Sequence, residues 1–136
     1  MPYGWHSVDS NRGIWVEGSK VVLNTSYTKL HVVQVGEPGT GKGETNPLVT
    51  FELKYGTKYV EVSTTGAKLG TSPQLFGAYP GYGFGGPRYI FEATKTGGFV
   101  KGDLGLTASG TVLKVAYANP NATSPNRYQC WELEGA

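Results

Sequence analysis

The sequence predicts an all-β chain built from three similar units, on two observations. In 136 residues with 21 Gly and 8 Pro, the apolar residues fall in short runs rich in Val, Thr and Tyr. Nothing keeps a helical period over the roughly 10 to 12 residues a helix needs. The second observation is a set of landmarks recurring in fixed order. An aromatic-Glu pair stands at Phe51-Glu52, Phe91-Glu92 and Trp131-Glu132, at a step of 40 residues. After the first two of these come a Gly-bearing turn and an aromatic-Val pair, Tyr59-Val60 and Phe99-Val100; Trp15-Val16 matches them in the first copy. Next comes an apolar run closed by small residues and Ser, at 21–26, 67–72 and 104–109. Self-similarity at a fixed period marks a repeat architecture. It divides one domain into units of about 1–56, 57–97 and 98–136. The competing reading is a β-sandwich whose strands are evenly spaced.

In chain order, the alternation of large and small residues over 3–7 predicts an opening strand, with 9–13 as its turn. Strands follow at 14–16, 20–24 and 30–35. The stretch 36–43 contains the GxxxxGK part of a phosphate-binding loop. It lacks the Ser or Thr that should follow Lys42, and a strand signal stands where the motif needs a helix. The second unit supplies strands at 50–55, 58–63, 67–71 and 75–79. Its loop, 79–88, interleaves Gly and Pro with Tyr79, Tyr82 and Phe84. A loop runs over the surface because its backbone polar groups need water, so these rings either fold down to plug one end of the core or contact a ligand.

Composition narrows the function. A net charge of +2, with Lys and Arg never clustered beyond pairs, gives no footprint for nucleic acid. No apolar run is long enough for membrane insertion. The single Cys130 excludes an internal disulfide framework and a thiolate metal cage. No leader is visible at the N-terminus, so a cytoplasmic location is expected, with secretion of a trimmed form left open. No His, Cys and Asp spacing suggests a metal and no cofactor is expected. His6 and His31 are far apart, no Ser or Cys lies in a nucleophile motif, and Glu52, Glu92 and Glu132 recur with the repeat. The expectation is a non-enzyme.

In the third unit a Gly110-Thr111-Val112 run, Tyr117 and Gln129-x-Trp131 resemble the repeat of the ricin-B-type β-trefoil lectins. The Gln-x-Trp triplet aligns with Val49-Thr50-Phe51 and Tyr89-Ile90-Phe91, which keep the aromatic and lose the Gln. The resemblance implies a β-trefoil: twelve strands in three four-stranded units with pseudo-threefold symmetry, six closing a barrel and six capping it. Phe51, Phe91 and Trp131 would then meet inside, with Leu23, Leu69 and Leu106 as a further layer.

It also implies carbohydrate binding, with an aromatic ring against the sugar's apolar face, and amide and carboxylate groups on its hydroxyls. Carried over, the aromatic positions are Tyr79 and Tyr117, and the amide positions are approximated by Asn46, Arg88 and Asn126. The Asp of the family is missing, its places being held by Asn24, Gly70 and Thr107. The expected carbohydrate-binding set is therefore Tyr79, Tyr82, Phe84, Arg88, Tyr117, Asn119 and Asn126. The expected partner is a glycan or glycoprotein, as in the small cytoplasmic defence lectins with this fold, and homodimerisation is left open. Two other classes use the same scaffold. One is a protease inhibitor acting through Lys42 or Arg88 in its Pro/Gly-rich loops. The other is a protein-binding trefoil resembling the fascin type.

Overall fold

The computed structural model describes residues 2–7, 12–35, 39–40, 47–79, 88–93, 100–118 and 127–134. They form thirteen strands and one 3₁₀ turn, Arg127–Gln129. The strands are β1 (Pro2–Ser7), β2 (Gly13–Glu17), β3 (Lys20–Asn24), β4 (Leu30–Gln34), β5 (Gly39–Thr40), β6 (Pro47–Tyr55), β7 (Lys58–Val62), β8 (Ala67–Gly70), β9 (Phe76–Tyr79), β10 (Arg88–Ala93), β11 (Val100–Ser109), β12 (Val112–Tyr117) and β13 (Cys130–Glu134). The chain is all-β, and every strand pairing is antiparallel.

Along its longest path the sheet is open and runs β12-β11-β10-β13-β1-β2-β3-β8-β7-β6-β4. Off this path β5 pairs with β6, β9 pairs with both β10 and β6, and β1 pairs with β4. Three tight hairpin turns have Gly at their first central position, with φ of 65° at Gly18, 63° at Gly56 and 62° at Gly110. This left-handed backbone is open to Gly at little cost and suits the turns that match strand twist.

Three hairpins, β2–β3, β7–β8 and β11–β12, agree pair for pair. Ile14 lies opposite Leu23, Val60 opposite Leu69 and Leu106 opposite Val115. Trp15, Glu61 and Thr107 likewise face Val22, Lys68 and Lys114. The hairpins are also tied to one another in a cycle. Leu69 N donates to Ser19 O, Val115 N to Ser63 O and Leu23 N to Thr111 O, at 2.8, 2.9 and 2.9 Å. Corresponding residues in these hairpins are separated by a constant 46 positions, as Leu23, Leu69 and Val115 show.

This corrects the 40-residue step expected from the aromatic-Glu pairs. Phe51 and Phe91 lie on β6 and β10, each in the strand leading towards a hairpin, whereas Trp131 lies on β13, the strand that follows one. The expected core trio is therefore differently composed. Phe51 packs against Trp5 at 5.6 Å and Phe76 at 6.1 Å between ring centroids. Phe51 and Trp131 both belong to the main apolar cluster, and Phe91, also buried, lies outside it. The boundary expected at 56/57 falls in the turn between β6 and β7.

Alternation puts one face of each hairpin inside. Ile14, Val60 and Leu106 have no exposed surface; nor do Leu30, Phe76 and Trp131, the first, first and second residues of β4, β9 and β13, the strands that return from the hairpins. Each such side chain contributes about 1.5–3 kcal/mol by leaving water. Of the expected layer Leu23, Leu69 and Leu106, Leu23 and Leu106 are buried and Leu69 is half-buried against the cluster. Trp131 Nε1 donates to Leu106 O at 3.0 Å, which satisfies the one polar atom of a fully buried indole. Among the described residues, two buried side-chain polar atoms, Trp5 Nε1 and Ser7 Oγ, have no hydrogen-bond partner.

Candidate functional site

The second hairpin carries a feature that the alternating pattern alone would place in solvent. Glu61 faces outward from β7 opposite Lys68, and its carboxylate bends back over Gly70. A Cβ on Gly70 would collide with Glu61 Oε2 and Cδ, so the glycine provides the space in which the carboxylate lies. Ser72 N donates to Glu61 Oε2 at 3.2 Å and fixes it from the other side.

Behind it, the Gln74 side chain holds the end of β7 at both backbone groups. Val62 N donates to Gln74 Oε1 at 2.6 Å and Gln74 Nε2 donates to Val62 O at 2.9 Å. The turn that follows is self-bonded: Ser63 N donates to Gly66 O at 2.8 Å, and Thr65 N donates to Ser63 Oγ at 3.2 Å.

Between this turn and the segment 71–75 lies a cleft of about 660 Å³, lined by Glu61, Ser63, Thr65, Lys68, Ser72 and Gln74 among others, with Glu92 of β10 at its wall. Carboxylates accept hydrogen bonds, an ammonium donates them, and hydroxyls do both. Glu61, Ser63 and Gln74 are already bonded to backbone groups, which sets their positions before anything binds.

Gln74-Leu75-Phe76 is a second Gln-x-aromatic triplet. It matches Gln129-Cys130-Trp131 in spelling and in the full burial of its aromatic. The two amides bond different places: Gln74 holds Val62 next to the turn of its hairpin, and Gln129 Nε2 donates to Tyr117 O, at 2.8 Å, at the open end of its own. The alignment with Val49-Thr50-Phe51 is thereby corrected. The expected place of the missing Asp is held by Gly70, and the Glu61 carboxylate lies over it. The signal was present in the sequence as the triplet at 74–76.

Of the seven expected binding residues, Tyr117 alone has a described side chain. It ends β12 and is 70 % exposed; Tyr128 is 50 % exposed. Tyr79 ends β9, with its backbone opposite Tyr89. Arg88 was expected in a loop and instead opens β10, its backbone opposite Trp131. The side chains of Tyr79 and Arg88, and all of Tyr82, Phe84, Asn119 and Asn126, lie outside what is described.

Among the described residues no group of three or more His, Cys, Asp and Glu could hold a metal ion, and no helix is long and apolar enough to cross a membrane. Burial raises the Cys130 thiol above its ordinary value. No protein-family model, curated protein or solved structure matches the chain.

Proposed function

We propose that this chain is a non-catalytic carbohydrate-binding β-trefoil whose site is the cleft beside Glu61. The trefoil reading draws on two features. The pairings β1–β4, β4–β6, β6–β9, β9–β10, β10–β13 and β13–β1, taken in turn, lead back to the strand they began from. The three hairpins linked in a cycle at a constant step supply the caps. The units are then β1–β4, β6–β9 and β10–β13. Such closure leaves few free sheet edges, and each unit buries in its neighbours what it could not bury alone.

The observation that carries the carbohydrate reading is the Glu61 carboxylate, seated over Gly70 and bonded to Ser72 N, in a cleft whose other polar side chains are hydroxyls, an amide, one ammonium and the Glu92 carboxylate. A fixed carboxylate is a strong acceptor for sugar hydroxyls, because a hydrogen bond to a charged group is worth about 1.5–3 kcal/mol. Probing a glycan array with the full chain tests the reading: binding is expected, and Glu61→Gln should weaken it at least tenfold with the fold unchanged. An inhibitor reading resting on Arg88 is disfavoured, because Arg88 begins a paired strand rather than standing at a loop tip.

A further inference from the structure

Glu61 and Lys68 stand directly opposite one another on β7 and β8, yet they form no ion pair. The carboxylate leans diagonally across the hairpin to Gly70, two residues beyond Lys68 on the same strand, where Ser72 N donates to Oε2 at 3.2 Å. An exposed cross-strand ion pair gains little, whereas a hydrogen bond from a backbone N–H to a carboxylate is charge-assisted. The lean therefore leaves two groups without a protein partner, Glu61 Oε1 and the exposed ammonium of Lys68.

Their neighbours in the cleft are committed elsewhere. Ser63 Oγ is taken up by its own turn, at 3.1 Å from Thr65 Oγ1, 3.2 Å from Thr65 N and 3.2 Å from Gly66 O. Gln74 uses both ends of its amide on Val62, and Glu92 is buried and already engaged. A fixed acceptor and an unspent donor thus face the same cleft from the two strands of one hairpin.

Resting on the reading of this cleft as the carbohydrate site, we infer that it takes a saccharide through a pair of neighbouring hydroxyls, and that Lys68 determines which pair. One hydroxyl donates to Glu61 Oε1, and the next accepts from Lys68 Nζ. Hydroxyls on adjacent ring carbons suit this, since each can donate or accept. Spacing favours two hydroxyls over one. Gly70, where the carboxylate lies, is two residues from Lys68, about 6.6 Å along the strand. A single hydroxyl held by two hydrogen bonds of about 2.8 Å falls short of that span, and two neighbouring hydroxyls cover it.

Saturation-transfer NMR on the full chain tests this with the methyl pyranosides of glucose, galactose and mannose and the monodeoxy forms of each. At least one parent pyranoside is expected to bind, and two of its monodeoxy forms, lacking adjacent hydroxyls, should bind at least tenfold more weakly. Folded Lys68→Gln should weaken the parent at least tenfold and weaken one of those two deoxy forms no further, because the hydroxyl it served is already gone. Undiminished binding of the parent by Lys68→Gln would overturn the inference and leave carbohydrate binding in place. So would losses confined to one hydroxyl or to hydroxyls that are not neighbours, or binding on a glycan array with no pyranoside bound. Absence of wild-type binding to the panel and to the array alike would instead overturn the carbohydrate reading itself.

Discussion

The Glu61 carboxylate occupies the space that a side chain at Gly70 would need. Gly70 does not adopt the left-handed backbone that marks Gly18, Gly56 and Gly110, so its requirement for glycine is one of space. Two residues on neighbouring strands thereby fix where a charge lies on an otherwise ordinary outward face.

Gly70→Ala should keep the fold and move the carboxylate. The methyl displaces Glu61 Oε2 from Ser72 N, at a cost of about 1 kcal/mol for the lost hydrogen bond. Saccharide binding should fall at least tenfold, and a surface-plasmon titration beside a thermal melt separates the two effects.

Gln74→Ala removes both bonds to Val62. One partner is a backbone N–H and the other a backbone C=O at the end of β7, so the loss should be about 1–3 kcal/mol. Denaturant unfolding measures it. Gln74→Glu keeps the acceptor for Val62 N and places an anionic oxygen against Val62 O. It should recover little of the stability.

Trp131→Phe preserves most of the buried ring and leaves Leu106 O without its donor. The expected destabilisation is about 1–3 kcal/mol. Phe76→Ala, which opens a cavity in the same apolar cluster, should cost about 3–5 kcal/mol.

Cys130 gives a pH-dependent signature. Burial favours its neutral thiol, so the folded protein resists ionisation more than the unfolded chain, whose thiol titrates near 9.0. This contribution to stability is fully present below that value and is lost as pH rises through the higher folded value. Iodoacetamide at pH 8 should label the native protein much more slowly than the urea-unfolded chain, since the thiolate is the reactive form.

Strand positions were largely legible from sequence, because Gly-bearing turns and alternation act locally: β2, β3, β7 and β8 fall close to the expected 14–16, 20–24, 58–63 and 67–71. The 46-residue recurrence of the three hairpins was not. The aromatic-Glu pairs at Phe51, Phe91 and Trp131 keep an even spacing while belonging to strands with different places in the ladder, and connections of unequal length conceal this. Glu61 was missed for a related reason. Nothing in a one-dimensional alternation shows that a carboxylate will turn back over the empty face of a glycine one strand away. The triplet Gln74-Leu75-Phe76 was legible in principle, but the even spacing of Phe51, Phe91 and Trp131 led away from it.

Amide shift mapping on the ¹⁵N-labelled full chain, titrated with the saccharide that binds best on the array, tests the location of the site most directly. The account predicts perturbations centred on Ser63, Gly66, Ser72 and the side-chain amide of Gln74, absent in Glu61→Gln. Perturbations centred instead on Tyr117 and Tyr128, with the second hairpin silent, would contradict it.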